Sequence, residues 1–164
     1  WRTGKKLKPT PWQSNKDGHI LLCPPSTKTG KHYGFNPKEW TENTINEIKL
    51  YSDKEIIVRY KPKNKRDRYA GETSLKKALD GAYCIVVYNS NAATEAIYNG
   101  IPAVVLGDAA SKFVARGNIE DIENLIYPKR TTWLKNLMCN QFTKDEIASG
   151  EAINFFINFY GIKL

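Results

Sequence analysis

Four short runs of apolar residues, separated by segments with helical signals, constrain the fold of this chain most. They are HILLC at 19–23, EIIVRY at 55–60, AYCIVVY at 82–88 and IPAVVL at 101–106. A short continuous apolar run predicts a strand that is covered on both faces, as in a parallel sheet. Strands that alternate with helices through short connections predict right-handed crossovers. We therefore predict an α/β, Rossmann-like parallel sheet of four to five strands, with helices on both faces.

Capping signals mark the helices between these strands. Asn36, Pro37 and Glu39 together predict a helix start. An Asn is a good cap, a Pro suits the first helical position, and a Glu three residues after the cap can close a capping box. Shorter helices are predicted over 73–80 and 91–99.

Two helices are predicted to close the domain at its carboxyl end. The first covers 129–140, and the second begins where Thr143 and Glu146 form a capping box. Gly150 is placed inside the second helix, at a cost of roughly 1 kcal/mol relative to alanine. The expected buried stripe of that helix consists of Ile147, Ile153, Phe156, Ile157 and Tyr160.

The length of 164 residues is sufficient for one domain with a substantial core. We assign residues 18–164 to a Rossmann-like nucleotide-binding domain. Residues 1–17 are basic and broken by proline, so they are assigned to an arm or linker. Because the sequence starts at Trp1, we expect a longer chain, with an amino-terminal domain or a partner chain that is missing here.

Composition narrows the class of protein. The formal charge of +8 favours anionic partners such as nucleotides, sugar phosphates and nucleic acids. No apolar run approaches the roughly 20 residues that cross a bilayer, and no signal peptide is recognisable. Cys23, Cys84 and Cys139 lie far apart, so the sequence predicts neither a disulfide framework nor a zinc site. A cytoplasmic protein without a metal or another cofactor is expected.

The stretch YNSNAATEAIYNGIPAVVLG at 88–107 predicts a ligand pocket. In an open parallel sheet, ligands bind beyond the carboxyl ends of the strands, where the strand order reverses. Unpaired N–H groups at the start of the following helix suit a phosphate beside Ser90 and Asn91. Glu95, one turn later, is placed to accept both hydroxyls of a ribose. Ser and Asn are also ordinary caps, and Glu ordinarily complements the helix dipole, so a purely structural role stays open.

The segment PPSTKTGKHYGF at 24–35, predicted to be a loop, adds polar groups to the same pocket. Hydroxyl, ammonium and backbone donors able to wrap phosphate oxygens come from Ser26, Thr27, Lys28, Gly30 and Lys31. His32 lies among them, and we do not expect it to act as a catalytic base.

Two basic residues lie at the carboxyl end of the second predicted strand. Arg59 and Lys61 are predicted to point at the same crevice, where an arginine can hold a phosphate through two parallel hydrogen bonds. The run from Lys63 to Arg68 is interpreted as a solvated turn. The sequence contains neither a Walker A pattern nor G-x-G-x-x-G, which argues against an NTPase or an ordinary dehydrogenase.

These segments together resemble the carboxyl-terminal, donor-nucleotide half of a GT-B glycosyltransferase, of the capsule, Kdo-transferase-like or phage-encoded type. The resemblance depends on IIVRYKPK at 56–63, on the stretch from Ser74 to Gly107, and on the closing helices. In that family a basic segment with proline follows one strand, and an S-x-x-x-x-E-A-x-x-x-G-x-P segment follows the next. The similarity runs in order from about Gly18 to Tyr160.

The resemblance implies a nucleotide-sugar donor site. It implies Ser90 and Asn91 near the donor phosphate, Glu95 near the ribose, and Arg59 and Lys61 as phosphate partners. Capsule enzymes often carry His-Pro where this chain has Lys-Pro, so the role of that histidine does not transfer. The family also uses an amino-terminal domain that binds the acceptor and often supplies the catalytic base, and 164 residues cannot contain it.

Three functions remain open at this point. The first is transfer of a sugar from a nucleotide sugar to an acceptor, either a glycan or a nucleic acid. The second is a non-catalytic module that binds a nucleotide or a nucleic acid, possibly encoded by a phage. The third and weakest is a polyol-phosphate transferase, which shares the strand-turn-helix layout.

Overall fold

The computed structural model describes residues 7–62 and 74–161 of the chain. It divides into two compact units, one spanning Lys8–Arg130 and the other comprising Trp1–Leu7 and Thr131–Leu164. The first unit contains the sheet and the second contains the carboxyl-terminal helices. This division differs from the predicted one, because residues 8–17 belong with the sheet and residues 131–161 do not.

A sheet of four parallel strands forms the centre of the first unit. The strands are β1 (Ile20–Cys23), β2 (Ile56–Val58), β3 (Cys84–Val87) and β4 (Ala103–Val105). Their spatial order is β2-β1-β3-β4, and every neighbouring pair is parallel. All residues of β1, β3 and β4 are buried, whereas Ile57 in the edge strand β2 is exposed. The predicted α/β, Rossmann-like parallel sheet is confirmed.

The α-helices in the described part of this unit are α1 (Thr27–Tyr33), α2 (Pro37–Tyr51), α3 (Leu75–Ala78) and α4 (Asn91–Tyr98). The Asn36 side chain caps α2 as predicted, since its Oδ1 accepts from the Lys38 N–H at 2.9 Å. Helix α1 occupies a segment that was predicted to be a loop, so that prediction was wrong. A helix of seven mostly polar residues shows no apolar periodicity, and only its caps mark it.

The strand order places helices on both faces of the sheet. The connection from β1 to β2 runs towards one edge, and those from β2 to β3 and from β3 to β4 run towards the other. With right-handed crossovers, α1 and α2 therefore cover one face while α3 and α4 cover the opposite face. The packing agrees, because Ile48 of α2 joins the core cluster of Ile20 and Leu22, whereas α4 packs on β3 and β4.

Before β1, the chain is attached to the end of α4. Main-chain hydrogen bonds run from Thr10 N to Tyr98 O, at 2.9 Å, and from Gln13 N to Gly100 O, at 2.8 Å. Gly100 has a φ of 86°, and a Cβ at this position would collide with the Pro11 carbonyl oxygen. A glycine is therefore required both by the backbone conformation and by the close approach of the amino-terminal segment.

The Arg130 side chain also holds the amino-terminal segment against the end of α4. It is buried, and its guanidinium donates hydrogen bonds to the carbonyl oxygens of Ile97 and Thr10. The same guanidinium stacks on the Trp12 ring, with 3.8 Å from its central carbon to the ring centroid. Burial lowers the pKa of Arg130, but two carbonyl acceptors and an aromatic face compensate its charge.

The second unit contains three helices in its described residues: α5 (Thr131–Cys139), α6 (Lys144–Ala148) and α7 (Glu151–Tyr160). The predicted capping box of Thr143 and Glu146 is present at the start of α6. The predicted single last helix is wrong, because Gly150 adopts φ 81° and separates α6 from α7. The expected buried stripe is wrong as well, because Ile147, Ile153 and Tyr160 are exposed.

Candidate site at the carboxyl edge of the sheet

The candidate site lies where the strand order reverses, between β1 and β3. These two strands are hydrogen-bonded neighbours, with Cys23 opposite Val87 at their carboxyl ends. The segment after β1 leads into α1 and α2 on one face, and the segment after β3 leads into α4 on the other. The two connections therefore diverge and leave a crevice between them, which is the place where open α/β sheets bind ligands.

Ser90 caps the start of α4 at this crevice. Its Oγ accepts a hydrogen bond from the Ala92 N–H at 3.2 Å, and the side chain is half-buried. The hydroxyl proton of Ser90 remains able to donate outward, towards an anion. The Ala92 and Ala93 N–H groups donate to the Ser90 side chain and carbonyl, and the positive end of the helix dipole points towards the crevice. This arrangement suits a phosphate oxygen.

Asn91 and Glu95 lie one turn apart on the exposed face of α4. The opposite face of the helix is buried on the sheet through Ala93, Ala96 and Ile97. Glu95 is exposed and Ser90 is half-buried. The Glu95 carboxylate therefore remains available to accept hydrogen bonds from vicinal hydroxyls of a sugar.

The segment after β1 meets the expectation only in part. Ser26, Thr27 and Lys28 are exposed at the start of α1, but the Ser26 Oγ caps the helix by accepting from the Thr29 N–H at 3.2 Å. Gly30 is buried, and a Cβ there would collide with Pro37 at 2.6 Å. Its role is to let α1 pack against the start of α2, and it does not wrap a phosphate.

His32 and Lys31 lie in the last turn of α1, away from its amino end. The His32 ring packs edge-on against Tyr33, with centroids 4.7 Å apart. His32 is exposed.

Arg59 lies at the carboxyl end of β2, next to β1. Its backbone N–H donates to the Leu22 carbonyl at 2.8 Å, and its side chain lies near enough to the Cys23 thiol to affect the pKa of that group. Burial raises the pKa of the Cys23 thiol to about 11, against the opposing effect of the Arg59 charge. Cys23 is consequently a neutral thiol and a poor nucleophile. Its contact holds the half-buried guanidinium close to the crevice.

Lys61 is exposed, two residues beyond Arg59 on the same side of the sheet. The basic run predicted to be a solvated turn, from Lys63 to Arg68, lies outside the described residues. Arg59 and Lys61 thus provide the positive charge that the described chain places after β2.

Sequence reasoning missed an aromatic cluster around Tyr88, the residue that follows β3. The Tyr88 ring packs edge-on against Tyr33, Phe35 and Trp40, with centroid distances of 5.3, 4.9 and 6.1 Å. Its other neighbour is the backbone of Gly107, where an added Cβ would lie 3.0 Å from the ring. The cluster forms a rigid wall on the α2 side of the carboxyl edge. The available signal was the presence of four aromatic residues in the segments that follow β1 and β3.

Two cavities formed by the described residues lie away from this edge. One of about 540 Å³ is found at the amino-terminal edge of the sheet, lined by the residues before β3 and β4, including Leu79, Asp80 and Ile101, together with Gln13. A second of about 480 Å³ lies beside β2 and the end of α2.

The described residues contain no group of three or more His, Cys, Asp or Glu side chains that could hold a metal ion. None of the helices in the described ranges is both long enough and apolar enough to cross a membrane.

Comparison of the chain with protein-family models, with curated proteins and with solved structures gave no match.

Proposed function

We propose that this chain is the donor-binding half of a GT-B type glycosyltransferase, and that it binds a nucleotide sugar in the crevice between the β1 and β3 connections. The observation that supports this most is the adjacency of β1 and β3 with their helices on opposite faces. That arrangement opens the start of α4 towards the segment after β1.

Each part of the donor has a chemically suitable partner at this edge. The diphosphate is bound by the N–H groups at the start of α4, by the Ser90 hydroxyl, and by the charges of Arg59 and Lys61. The nucleotide ribose lies further along α4, where Glu95 accepts its two hydroxyls. The segment with Ser26, Thr27 and Lys28 closes the opposite side of the groove.

The contribution of these groups to the reaction is electrostatic. When the sugar leaves, negative charge accumulates on the nucleotide phosphate. Donors that are fixed in advance, such as backbone N–H groups and a guanidinium held by Cys23, stabilise that charge without reorganisation. The acceptor and the general base would come from outside the described residues.

Isothermal titration calorimetry tests this proposal. The wild-type protein is titrated with UDP-, GDP- and CMP-linked sugars, and one of them should bind. Glu95→Ala should weaken that binding by about ten- to a hundredfold, because it removes two hydrogen bonds to a charged acceptor. Glu47→Ala, which removes an exposed carboxylate from α2, serves as the matched control and should bind as the wild type does.

Nucleic-acid binding is the outcome that would replace the proposal. In that case no nucleotide sugar binds, and DNA or RNA binds with an affinity that falls steeply with salt and is the same in Glu95→Ala. Nucleic-acid binding would then be driven by the net charge of +8.

A further inference from the structure

The second unit exposes an apolar surface on α7. Its polar residues, Glu151, Asn154 and Asn158, follow a spacing of three and four and form one narrow stripe. Every other position from Ala152 to Tyr160 is apolar or aromatic. A helix that is apolar around most of its circumference is normally covered by other protein.

Part of this surface is covered within the unit itself. Phe142, which precedes α6, packs against Phe155 and Phe156 with centroid distances of 5.4 and 5.3 Å. Phe155 stacks on Phe159 at 5.3 Å, and Phe156 stacks on Tyr160 at 5.9 Å. The rings are therefore held in fixed positions, and their outer faces form a preformed surface.

The uncovered part is large. Phe159 is 67% exposed, Ile147 62%, and Ile153 and Tyr160 are each 55% exposed. Because side chains of this size present on the order of 200 Å² each, roughly 500 Å² of apolar surface stays open. This area is smaller than the roughly 800 Å² that one partner contributes to a standard-size protein interface. We name the surface of Ile147 from α6 and of Ile153, Phe159 and Tyr160 from α7 the α7 patch.

Charge indicates what covers the α7 patch. Residues 131–164 contain three basic and three acidic side chains, so their net charge is zero and the formal +8 belongs to residues 1–130. Two copies that meet through this neutral segment avoid the mutual repulsion that opposes every other face. A membrane surface fits less well, because interfacial helices carry Lys and Arg beside the apolar face, and the polar stripe of α7 has none.

We propose that the α7 patch is a self-association surface, which pairs with the same patch of a second copy in a symmetric dimer. An isologous pairing brings the same surface from each chain, so it roughly doubles the apolar area that is removed from water. The inference is independent of the function proposed above, because it involves only the second unit.

Analytical ultracentrifugation over a concentration series tests this inference on the 164-residue chain. The wild type should sediment at twice the 18.7 kDa of one chain at high concentration and dissociate on dilution. Phe159→Glu should raise the dimer dissociation constant by about a thousandfold, because the substitution occurs twice in a symmetric pair. Ile153→Glu should have the same direction of effect.

Phe113→Glu is the matched control. Phe113 is 87% exposed in the first unit, on the 3-10 turn Lys112–Val114, and it is not part of the α7 patch. The Phe113→Glu variant should remain dimeric. Circular dichroism is used to verify that each variant keeps its helical content. A wild type that is monomeric at every concentration would overturn the inference, as would a Phe113→Glu variant that dissociates as readily as Phe159→Glu.

Discussion

Replacing Arg130 by alanine should destabilise the sheet unit strongly, although Arg130 lies outside the candidate site. The guanidinium donates to two main-chain carbonyls, of Ile97 and Thr10, and stacks on Trp12. Hydrogen bonds to charged groups contribute about 1.5–3 kcal/mol each, and a cation–π contact about 1 kcal/mol. The cost of burying the charge offsets part of this sum, so we expect a net loss of about 3 kcal/mol.

Urea denaturation followed by circular dichroism measures this loss. With a slope of about 1–3 kcal/mol per molar urea, a loss of about 3 kcal/mol lowers the midpoint by about 1–3 M. Arg130→Lys should recover little, because an ammonium group cannot form both hydrogen bonds and the stacked contact in one geometry. Lys129→Ala, which removes the neighbouring exposed cation, should change stability by less than about 0.5 kcal/mol. If Arg130→Ala denatured at the wild-type midpoint, the guanidinium would not stabilise the sheet unit.

Three further predictions concern stability. Gly100→Ala should lower the free energy of unfolding by about 2–4 kcal/mol, because φ is 86° and the new Cβ collides with Pro11. Gly117→Ala should be nearly neutral, because no atom lies within 4 Å of the new Cβ. Thermal melts of the two variants distinguish these outcomes. Glu123→Ala should cost about 1–2 kcal/mol, measured in urea, because it leaves the buried Ser52 hydroxyl and the Lys54 ammonium without this carboxylate. Ionisation of the Cys23 thiol should leave the stability of the wild type unchanged below pH 9 and should lower it between pH 9 and pH 11. The folded-state pKa of about 11 exceeds the ordinary value of 9.0, so the unfolded chain ionises first, at a cost of up to about 3 kcal/mol. Burial also raises the pKa values of Cys84 and Tyr83, so the same direction is expected of them. Cys23→Ala should make that fall in stability smaller in a reducing buffer, while Cys139→Ala should not.

The fold was predictable because its strands are apolar throughout and its longer helices carry caps. The runs at 19–23 and 82–88 could belong only to covered strands, and Asn36 and Ser90 marked the helix starts correctly.

Other features were not predictable because they depend on tertiary contacts. Helix α1 has almost no apolar residues, so its period is invisible in the sequence. A glycine inside an apolar pattern reads equally well as a weak helix position or as a break, and Gly150 is a break. The attachment of residues 8–13 by Arg130 joins positions about 120 residues apart, which no local pattern reveals.

The candidate site was only partly predictable for the same reason. Ser90 and Glu95 lie on one helix, so the spacing alone gave their relation to each other. The contact of Arg59 with Cys23 crosses two strands, and the ring cluster around Tyr88 combines three separate segments. Long-range contacts of this kind decide which polar residues stay available to a ligand.

The central claim is that an anionic nucleotide binds at the carboxyl edge of the sheet. A titration of ¹⁵N-labelled protein with the nucleotide sugar that binds tests it directly, because amide shifts report the position of the ligand. Binding in the crevice should give the largest amide shifts at Ser90, Asn91 and Ala92, with smaller shifts at Thr27 and Arg59. Shifts confined to the cavity at the opposite edge, at Gln13, Lys77 and Asn99, would contradict it.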